Sequence, residues 1–289
     1  MSAYINLLRP WQWIKNLIIF IPYILAKNNT DSETSNLIII FFIFSVFVSS
    51  TYVFNDIKDV EVDRLHPKKK NRPIAKGIIE KERALIYATL LFSITLASSF
   101  YLSTGVGILF ILYGISTFLY SNYFKYLFVI DTLCISFMFL IRILIGGSVT
   151  NISVTIYLAS FIFLVSCTLS ISKKLSIINT KNMNLENEYF NLLKKQNISQ
   201  SFKNLYFFFS ISTLFSIFLW FMNLKSDILL FQNIVFLVTS MIFYFIFLTY
   251  VYKLSNRGKL EDFSKEVITN KYLLITAIFI VAFFSLGYF

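Results

Sequence analysis

Long runs of apolar residues alternate with short polar segments along most of this chain. A helix that crosses a bilayer needs roughly 20 apolar residues, because the hydrocarbon core is about 30 Å thick. Nine stretches approach that length. The first and fourth are the weakest, the first because Pro10, Lys15, Asn16 and Pro22 interrupt it. The predicted spans lie near residues 12–27, 36–56, 83–103, 106–121, 127–148, 152–172, 203–223, 228–252 and 271–289. The pattern predicts an all-α integral membrane protein with nine transmembrane helices.

The composition supports the same class. Of the 289 residues, 57% are hydrophobic and 19% are aromatic, and the mean hydropathy is +0.70. These values exclude a soluble globular domain, whose apolar share is lower. No internal repeat interrupts the pattern, so we expect residues 1–289 to form a single membrane domain.

Basic residues mark one side of the membrane. Lys and Arg accumulate in loops that stay on the cytoplasmic side, and the nine-span prediction places 23 of the 26 basic residues on the side of the N-terminus. Only Lys27 and Lys225 fall on the other side, and Arg142 falls inside a span. The sequence thus predicts a multi-pass protein of the cell (inner) membrane with a cytoplasmic N-terminus. The net charge of +11 then faces anionic lipid or anionic substrate, and we expect no nucleic-acid partner.

Acidic residues are concentrated at the end of the second predicted span. If the helix continues, Asp56, Asp59 and Asp63 fall on one stripe, with Asn55 on its flank and Lys58 and Glu61 directed elsewhere. Like charges at this spacing repel one another unless a cation is bound. Carboxylate oxygens suit Mg²⁺, which typically binds one or two carboxylates together with substrate phosphates. This stripe therefore predicts a metal site.

A basic loop follows the acidic stripe. His66-Pro67 is predicted to end the helix, and His66 is expected to be structural. The loop carries Lys68, Lys69, Lys70, Arg72 and Lys76. Such side chains clamp phosphate oxygens, arginine in bidentate fashion. The alternative for the lysines, that they only set membrane topology, stays open, but acidic residues contribute little to topology. The whole segment indicates a metal-bridged diphosphate site at a membrane surface.

Several motifs resemble one known family. The stretch N-D-x-x-D-x-x-x-D at Asn55–Asp63, followed by H-P-x-K-x-x-R-P-I-A-x-G at His66–Gly77, resembles the first signature of the UbiA superfamily of intramembrane prenyltransferases. The chain is similar in particular to its decaprenyl-phosphate phosphoribosyltransferase-like branch. Further matching stretches are LRPWQWIKN at Leu8–Asn16, Y-S-x-x-x-K at Tyr120–Lys125, the helix from Asp131 to Gly147, and SKKLS at Ser172–Ser176.

The resemblance implies a nine-helix bundle around a central cavity open to the cytoplasmic side. It also implies Mg²⁺-dependent transfer of 5-phosphoribosyl from 5-phosphoribosyl 1-diphosphate to a polyprenyl phosphate, with release of diphosphate, in the synthesis of cell-envelope polysaccharide precursors. The partners are then a diphosphate donor and a lipid-phosphate acceptor. The oligomeric state is not implied.

The resemblance also assigns roles to individual residues. Metal binding falls to Asn55, Asp56, Asp59 and Asp63, and catalytic roles fall to the same three aspartates and Asp131. The expected substrate-binding residues are Lys15, Asn16, Lys68, Arg72, Tyr120, Lys125, Arg142, Lys173 and Lys174. For Lys173 and Lys174 a purely topological role is an open alternative.

Two positions leave the chemistry open. Many members of the superfamily carry a second D-x-x-x-D motif near Asp131, whereas Ile135 stands four residues later in this chain. A single carboxylate there favours the phosphoribosyl branch and leaves the number of metals open. Arg142 is expected to meet an anionic group in the cavity, because a charge inside the membrane is costly; a structural pair within the bundle is the alternative.

Two other functions compete with phosphoribosyl transfer. The first is prenyl transfer from an isoprenyl diphosphate to an aromatic or other small acceptor, which a second D-x-x-x-D motif would have supported. The second is non-enzymatic membrane transport, which predicts ionisable residues at mid-depth in several spans. Here the acidic residues gather at the predicted cytoplasmic side and Arg142 stands nearly alone within the spans, which favours the enzyme.

Overall fold

The structure is a computed structural model that describes residues 2–26, 31–66, 69–125, 127, 129–179, 198–223, 231–260 and 263–288. Within these residues the regular elements are all helical. The α-helices are α1 (Ser2–Leu8), α2 (Ile21–Leu25), α3 (Asp31–Lys58), α4 (Val60–Leu65), α5 (Lys81–Leu102), α6 (Thr104–Leu119), α7 (Ile130–Val149), α8 (Ile156–Asn179), α9 (Ile198–Met222), α10 (Phe231–Asn256), α11 (Phe263–Thr269) and α12 (Lys271–Tyr288). Two 3₁₀ helices, Pro10–Phe20 and Lys69–Asn71, and a π-helix, Tyr120–Phe124, complete the set.

Eight helices in the described part of the chain are long and apolar enough to cross a membrane. They correspond to the second to ninth predicted spans: α3, α5, α6 with the π-helix, and then α7, α8, α9, α10 and α12. Many large apolar side chains on these helices are exposed, as expected for surfaces that face lipid rather than water. The protein is therefore a multi-pass membrane protein whose described part is all-helical.

The first predicted span, 12–27, has a different structure. It consists of the 3₁₀ helix Pro10–Phe20 followed directly by the five-residue α2. Pro22 lies at the start of α2, where its missing N–H and fixed φ are tolerated. Neither piece meets the length of a spanning helix, so the prediction of nine spans is not confirmed.

The described chain divides into two compact units. The first comprises Met1–Leu127 and Met138–Val154, and the second comprises Phe128–Phe137 and Thr155–Phe289. In the first unit, α3 packs against α5 and against the 3₁₀ helix Pro10–Phe20. In the second, α9 and α10 pack against α8, and α12 packs against α10. The prediction of a single domain stays a prediction.

Gly146 lets the 3₁₀ helix approach α7 within the first unit. A β-carbon added at Gly146 would overlap the carbonyl oxygen of Ile19. Backbone atoms cannot move aside as a flexible side chain can, so only glycine fits at this crossing. The close approach holds the 3₁₀ helix, and with it Asn16, against α7.

We expect Gly146→Ala to destabilise the protein although alanine is the better helix former. The added methyl group must push Ile19 away from α7, and overpacking of this kind costs about 1–3 kcal/mol. Gly114→Ala is the matched control, because its β-carbon would lie 3.4 Å from the Phe92 ring, an ordinary contact. Thermal unfolding in detergent should show a lower melting temperature for Gly146→Ala alone; equal values for the two variants would contradict the close approach.

Arg142 is buried in the first unit and is bound by neutral acceptors. Its Nε donates to Asn16 Oδ1 at 3.0 Å, its Nη1 to the carbonyl oxygen of Met138 at 3.0 Å, and its Nη2 to the hydroxyl of Tyr113 at 2.8 Å. The rings of Tyr113, Phe139 and Phe44 lie 5.1, 4.6 and 5.9 Å from the guanidinium carbon. Aromatic faces and carbonyl dipoles attract a cation. They stabilise the buried charge without an ion pair among the described residues.

Tyr113→Phe should therefore lower stability. The change keeps the ring but leaves one buried donor of Arg142 without its acceptor, which costs about 1–3 kcal/mol. Tyr101→Phe is the control, because Tyr101 is 92% exposed. We expect the melting temperature of Tyr113→Phe to fall by at least about 2 °C and that of Tyr101→Phe to stay unchanged. A Tyr113→Phe protein as stable as the original would mean that Arg142 does not depend on this bond.

Candidate diphosphate site

The acidic stripe lies where the first long helix of the structure ends. Only Asp59 separates α3 from α4, and the interruption is small. The N–H of Asp59 donates to the carbonyl of Asn55 at 2.9 Å, and the N–H of Asp63 donates to the carbonyl of Asp59 at 2.8 Å. Helical spacing is thus kept across the break, which brings Asp56 and Asp63 to the same side.

His66 ends α4, as predicted. Its backbone is extended, with φ −82° and ψ 131°, because a residue that precedes proline is disfavoured in the helical region. Its Nδ1 accepts a hydrogen bond from the backbone N–H of Lys69 at 3.2 Å. This contact supports a structural role for His66 at the start of the basic loop.

Arg72 returns from the basic loop and lies between two carboxylates. Its Nη1 donates to Asp56 Oδ1 at 2.9 Å and also to Asp63 Oδ2. The two aspartate side chains are only 3% and 1% exposed. Buried carboxylates must be paired with cations or protonated. One guanidinium therefore bridges two buried acids that lie about two helical turns apart.

Two more cations reach these acids. Arg9 donates through Nη2 to Asp56 Oδ1, and its guanidinium carbon lies 5.4 Å from the centre of the Tyr52 ring. Lys69 Nζ lies 3.8 Å from Asp63 Oδ1, a distance that allows an ion pair but not a hydrogen bond. Each buried aspartate is thus in contact with two basic side chains.

The Y-S-x-x-x-K motif lies beside the acidic motif. Lys125 Nζ donates to Asp59 Oδ2 at 2.5 Å, and Ser121 Oγ donates to Asn55 Oδ1 at 2.5 Å. Ser121 belongs to the π-helix Tyr120–Phe124, and π-helical turns occur frequently at functional sites. Two motifs that are 66 residues apart in sequence are therefore joined through side chains.

We call the charged members of this group the ion-pair cluster. They are Arg9, Asp56, Asp59, Asp63, Lys69, Arg72 and Lys125. Four cations thus face three carboxylates. Lys58 and Glu61 stand outside it, as the helical spacing predicts: Lys58 donates to the carbonyl of Ser121, and Glu61 pairs with Arg64 and Lys81.

Lys69, at the basic edge of the cluster, is partly removed from water. Burial lowers the pKa of Lys69 below its ordinary value, and the nearby Arg72 lowers it further, while Asp63 acts in the opposite direction. Loss of hydration is the first cause, because burial disfavours the charged form of a lysine. An anion bound beside Lys69 would favour the charged form and raise the pKa again.

The acidic motif offers oxygen ligands of the type that Mg²⁺ prefers. Carboxylate and amide oxygens are the ligands that this ion prefers, and Asp63 Oδ1 is buried and accepts no hydrogen bond from the described residues. A metal ion would satisfy such an oxygen. Within the described residues, however, no three His, Cys, Asp or Glu side chains are grouped closely enough to hold a metal. The donor atoms are thus of the kind that Mg²⁺ prefers, but in this structure the carboxylates are paired with the chain's own cations rather than grouped around a metal site.

Asp131 has a cation partner of its own in the second unit. Lys174 Nζ donates to Asp131 Oδ1 and, at 2.6 Å, to Thr132 Oγ1. The Phe202 ring lies 5.8 Å from the same nitrogen. Ile135 stands four residues after Asp131, so this chain pairs a single aspartate with a lysine here. Lys173, the other member of the basic pair, is exposed.

The remaining predicted site residues are distributed more widely. Asn16 and Arg142 bind each other in the buried network described above, and Asn16 Nδ2 also donates to Ser45 Oγ at 3.0 Å. Lys15 and Tyr120 are half-buried. Lys68 lies outside the described residues.

Some residues of the site were not singled out in the sequence. In the sequence, Arg9 is only one of the many basic residues on the N-terminal side, yet in the structure it contacts a buried aspartate 47 residues away. Its position directly before Pro10, inside the matching LRPWQWIKN stretch, is the only signal that pointed to it. Lys69 was one of several loop lysines, and Ser121 and Thr132 are ordinary polar residues whose contacts depend on the fold.

The sequence profile of the UbiA prenyltransferase family matches residues 16–261 of this chain. Among curated relatives, decaprenyl-phosphate phosphoribosyltransferase from Mycolicibacterium smegmatis is 33% identical over 156 residues, which cover 52% of this chain and 49% of the relative. Digeranylgeranylglyceryl phosphate synthase from Methanosphaera stadtmanae is 32% identical over 181 residues, or 62% of this chain and 64% of the relative. The chain thus spans about half the length of the phosphoribosyltransferase that it matches.

The fold is similar to that of a solved structure from the same family. A UbiA homolog from Archaeoglobus fulgidus, bound to DMAPP and Mg²⁺, superposes with a TM-score of 0.68 over 99% of both chains, at 17% identity. This similarity establishes a UbiA-like membrane fold. With a profile match over most of its length and this fold, the chain belongs to the UbiA prenyltransferase family.

Proposed function

We propose that this protein transfers 5-phosphoribosyl from 5-phosphoribosyl 1-diphosphate to a polyprenyl phosphate and releases diphosphate. The observation that carries the proposal is the ion-pair cluster, which combines buried carboxylates with an excess of cations. Such a site suits a metal-bound diphosphate, because the carboxylates hold the metal and the cations hold phosphate oxygens. The phosphoribosyltransferase relatives support the identity of the donor.

The bond changes define what the residues must do. The bond between C1 of the ribose and the diphosphate oxygen breaks, and its electron pair leaves with the diphosphate. A phosphate oxygen of the lipid forms the new bond to C1, so the product is a polyprenyl phosphoryl 5-phosphoribose. No protein nucleophile is needed. Catalysis then depends on stabilising charge on the leaving group and on positioning the two substrates.

The chain's residues divide these tasks. Asp56, Asp59 and Asp63, with Asn55 beside them, would hold Mg²⁺. When bound, this ion would supply positive charge to the departing diphosphate. Arg72 and Lys125 would bind phosphate oxygens, as would Lys15 and Lys68. Asp131, with Lys174 beside it, is the candidate for contact with a ribose hydroxyl.

Prenyl transfer from an isoprenyl diphosphate is the second candidate. The family description and the digeranylgeranylglyceryl phosphate synthase relative favour it. Two features of this chain favour phosphoribosyl transfer instead. Ile135 replaces the second acid of the later motif, and Lys174 supplies Asp131 with a cation from the chain itself. Membership in a transferase family gives no support to transport.

The membrane arrangement completes the proposal. We infer a location in the cell (inner) membrane with a cytoplasmic N-terminus, because basic residues are concentrated on that side of the predicted topology. Nine membrane segments around a central cavity open to the cytoplasm remain the expectation from the family resemblance. The segment from Pro10 to Leu25 would then cross or enter the membrane as a broken helix next to protein.

The direct test uses the purified full chain in detergent with Mg²⁺, ribose-labelled 5-phosphoribosyl 1-diphosphate and a polyprenyl phosphate. We expect label to move into the organic phase. If label stays in water while the same protein consumes an isoprenyl diphosphate, the reaction is prenyl transfer and the proposal is wrong.

Asp59→Asn should reduce label transfer by at least about a hundredfold, because electrostatic groups at a reacting centre contribute on this scale. Glu61→Gln is the control: it also removes one carboxylate charge from the same segment, but Glu61 is exposed and pairs with Arg64 and Lys81 outside the cluster. Its activity should stay within about a factor of two. Equal losses in both variants would mean that total charge, rather than the cluster, matters.

A further inference from the structure

The cations of the cluster occupy the oxygens that a metal would use. Arg72 Nη1 contacts Asp56 Oδ1 and Asp63 Oδ2, and Arg9 contacts Asp56 Oδ1 as well. Lys125 contacts Asp59 Oδ2. A metal ion that approaches these carboxylates must therefore take over positions now held by guanidinium and ammonium groups. The one buried carboxylate oxygen of Asp63 that accepts no hydrogen bond from the described residues is the natural first contact.

The balance of charge opposes a metal ion that arrives alone. Four cations face three carboxylates in the cluster, so a bare divalent cation meets a net positive group. It would also separate a guanidinium from buried acids and leave that guanidinium without an anion. A metal ion that arrives with diphosphate avoids both costs. The complex is an anion overall, and its phosphate oxygens can accept charge-assisted hydrogen bonds from the displaced arginine.

The backbone of Arg9 indicates that its side chain matters. Arg9 follows the last residue of α1 in the left-handed region, with φ 52° and ψ 60°. Glycine is the usual residue at this position after a helix, because other residues are strained there. An arginine is present instead, and its guanidinium binds Asp56. The ion pair with Asp56 makes Arg9 a charged member of the cluster rather than a purely topological residue.

We propose that Arg9 and Arg72 are exchangeable cations: they neutralise Asp56 and Asp63 until substrate arrives and then turn to its phosphate oxygens. The metal ion and the diphosphate consequently bind as one unit, each strengthening the other. This inference rests on the proposed function, because it takes the ion-pair cluster as the diphosphate site. It adds Arg9 as a phosphate-binding residue, and it gives Arg72, already proposed to bind phosphate, the two aspartates as partners until substrate arrives.

Binding of Mn²⁺ tests the proposal without turnover. Mn²⁺ bound to the purified full chain in detergent is measured by electron paramagnetic resonance, with and without inorganic diphosphate, at matched concentrations of uncomplexed Mn²⁺. We expect diphosphate to increase the affinity for Mn²⁺ by at least about tenfold, and Mn²⁺ to increase the affinity for diphosphate by the same factor, since coupling is reciprocal. Affinity for Mn²⁺ that is the same with and without diphosphate would overturn the proposal.

Two variants test whether the arginines cause the coupling between Mn²⁺ and diphosphate binding. Arg72→Gln and Arg9→Gly each remove one cation, and glycine at position 9 suits the left-handed backbone, so folding is least disturbed there. Each variant should bind Mn²⁺ alone more tightly than the original protein and lose much of the effect of diphosphate. If Arg72→Gln does not fold, Arg9→Gly carries the test. Variants with unchanged affinity and unchanged coupling would exclude an exchange role.

Arg83→Gln is the matched control. It removes the same charge, but Arg83 is exposed and pairs with Glu80, three residues before it. It should bind Mn²⁺ and diphosphate as the original protein does. An effect as large as that of Arg9→Gly would mean that general charge explains the coupling, and the proposal would fail.

The outcome is separable from that of the proposed function. Reciprocal coupling without transfer of labelled ribose would leave the exchange of cations intact and refute the phosphoribosyl donor. Transfer of labelled ribose, together with an affinity for Mn²⁺ that is the same with and without diphosphate, would support the phosphoribosyl donor and refute the exchange of cations.

Discussion

The guanidinium of Arg72 between Asp56 and Asp63 is the interaction on which the site depends. Two nearly buried carboxylates at the end of a membrane helix are unstable unless cations neutralise them. Arg72 meets that need and, in doing so, holds the basic loop against the helix that carries the acidic motif. Lys125 and Ser121 attach a second motif to the same helix. The acids therefore hold the two motifs of the candidate site together.

A buried charge in the membrane-spanning part of the protein is stabilised in a different way. Arg142 has no ion pair among the described residues and is stabilised by an amide, a hydroxyl, a carbonyl and aromatic faces. Asn16, one of its partners, is held in place by the close approach that Gly146 permits. Charges in the ion-pair cluster are thus paired with opposite charges, whereas this deeper charge is solvated by dipoles. The first arrangement can exchange partners with a charged ligand more readily than the second.

Hydropathy predicted the long helices well, because the length and composition of a span follow from the thickness of the bilayer. The segment 12–27 differs because Pro10 and Pro22 bracket a 3₁₀ helix, and hydropathy does not register helix type. Helical spacing placed Asp56 and Asp63 together and Glu61 elsewhere. The partners of the acidic residues could not be predicted from the sequence. Arg9 pairs with Asp56 and Lys174 pairs with Asp131, and only the fold brings these distant parts of the chain together.

A structure determined with Mn²⁺ and diphosphate tests the central claim most directly, because anomalous scattering locates the metal without ambiguity. The account predicts Mn²⁺ bound to Asp56 and Asp63, with Arg72 turned from the aspartates to an oxygen of the diphosphate. Arg72 still bridging both aspartates, with the metal and diphosphate bound elsewhere in the protein, would contradict it.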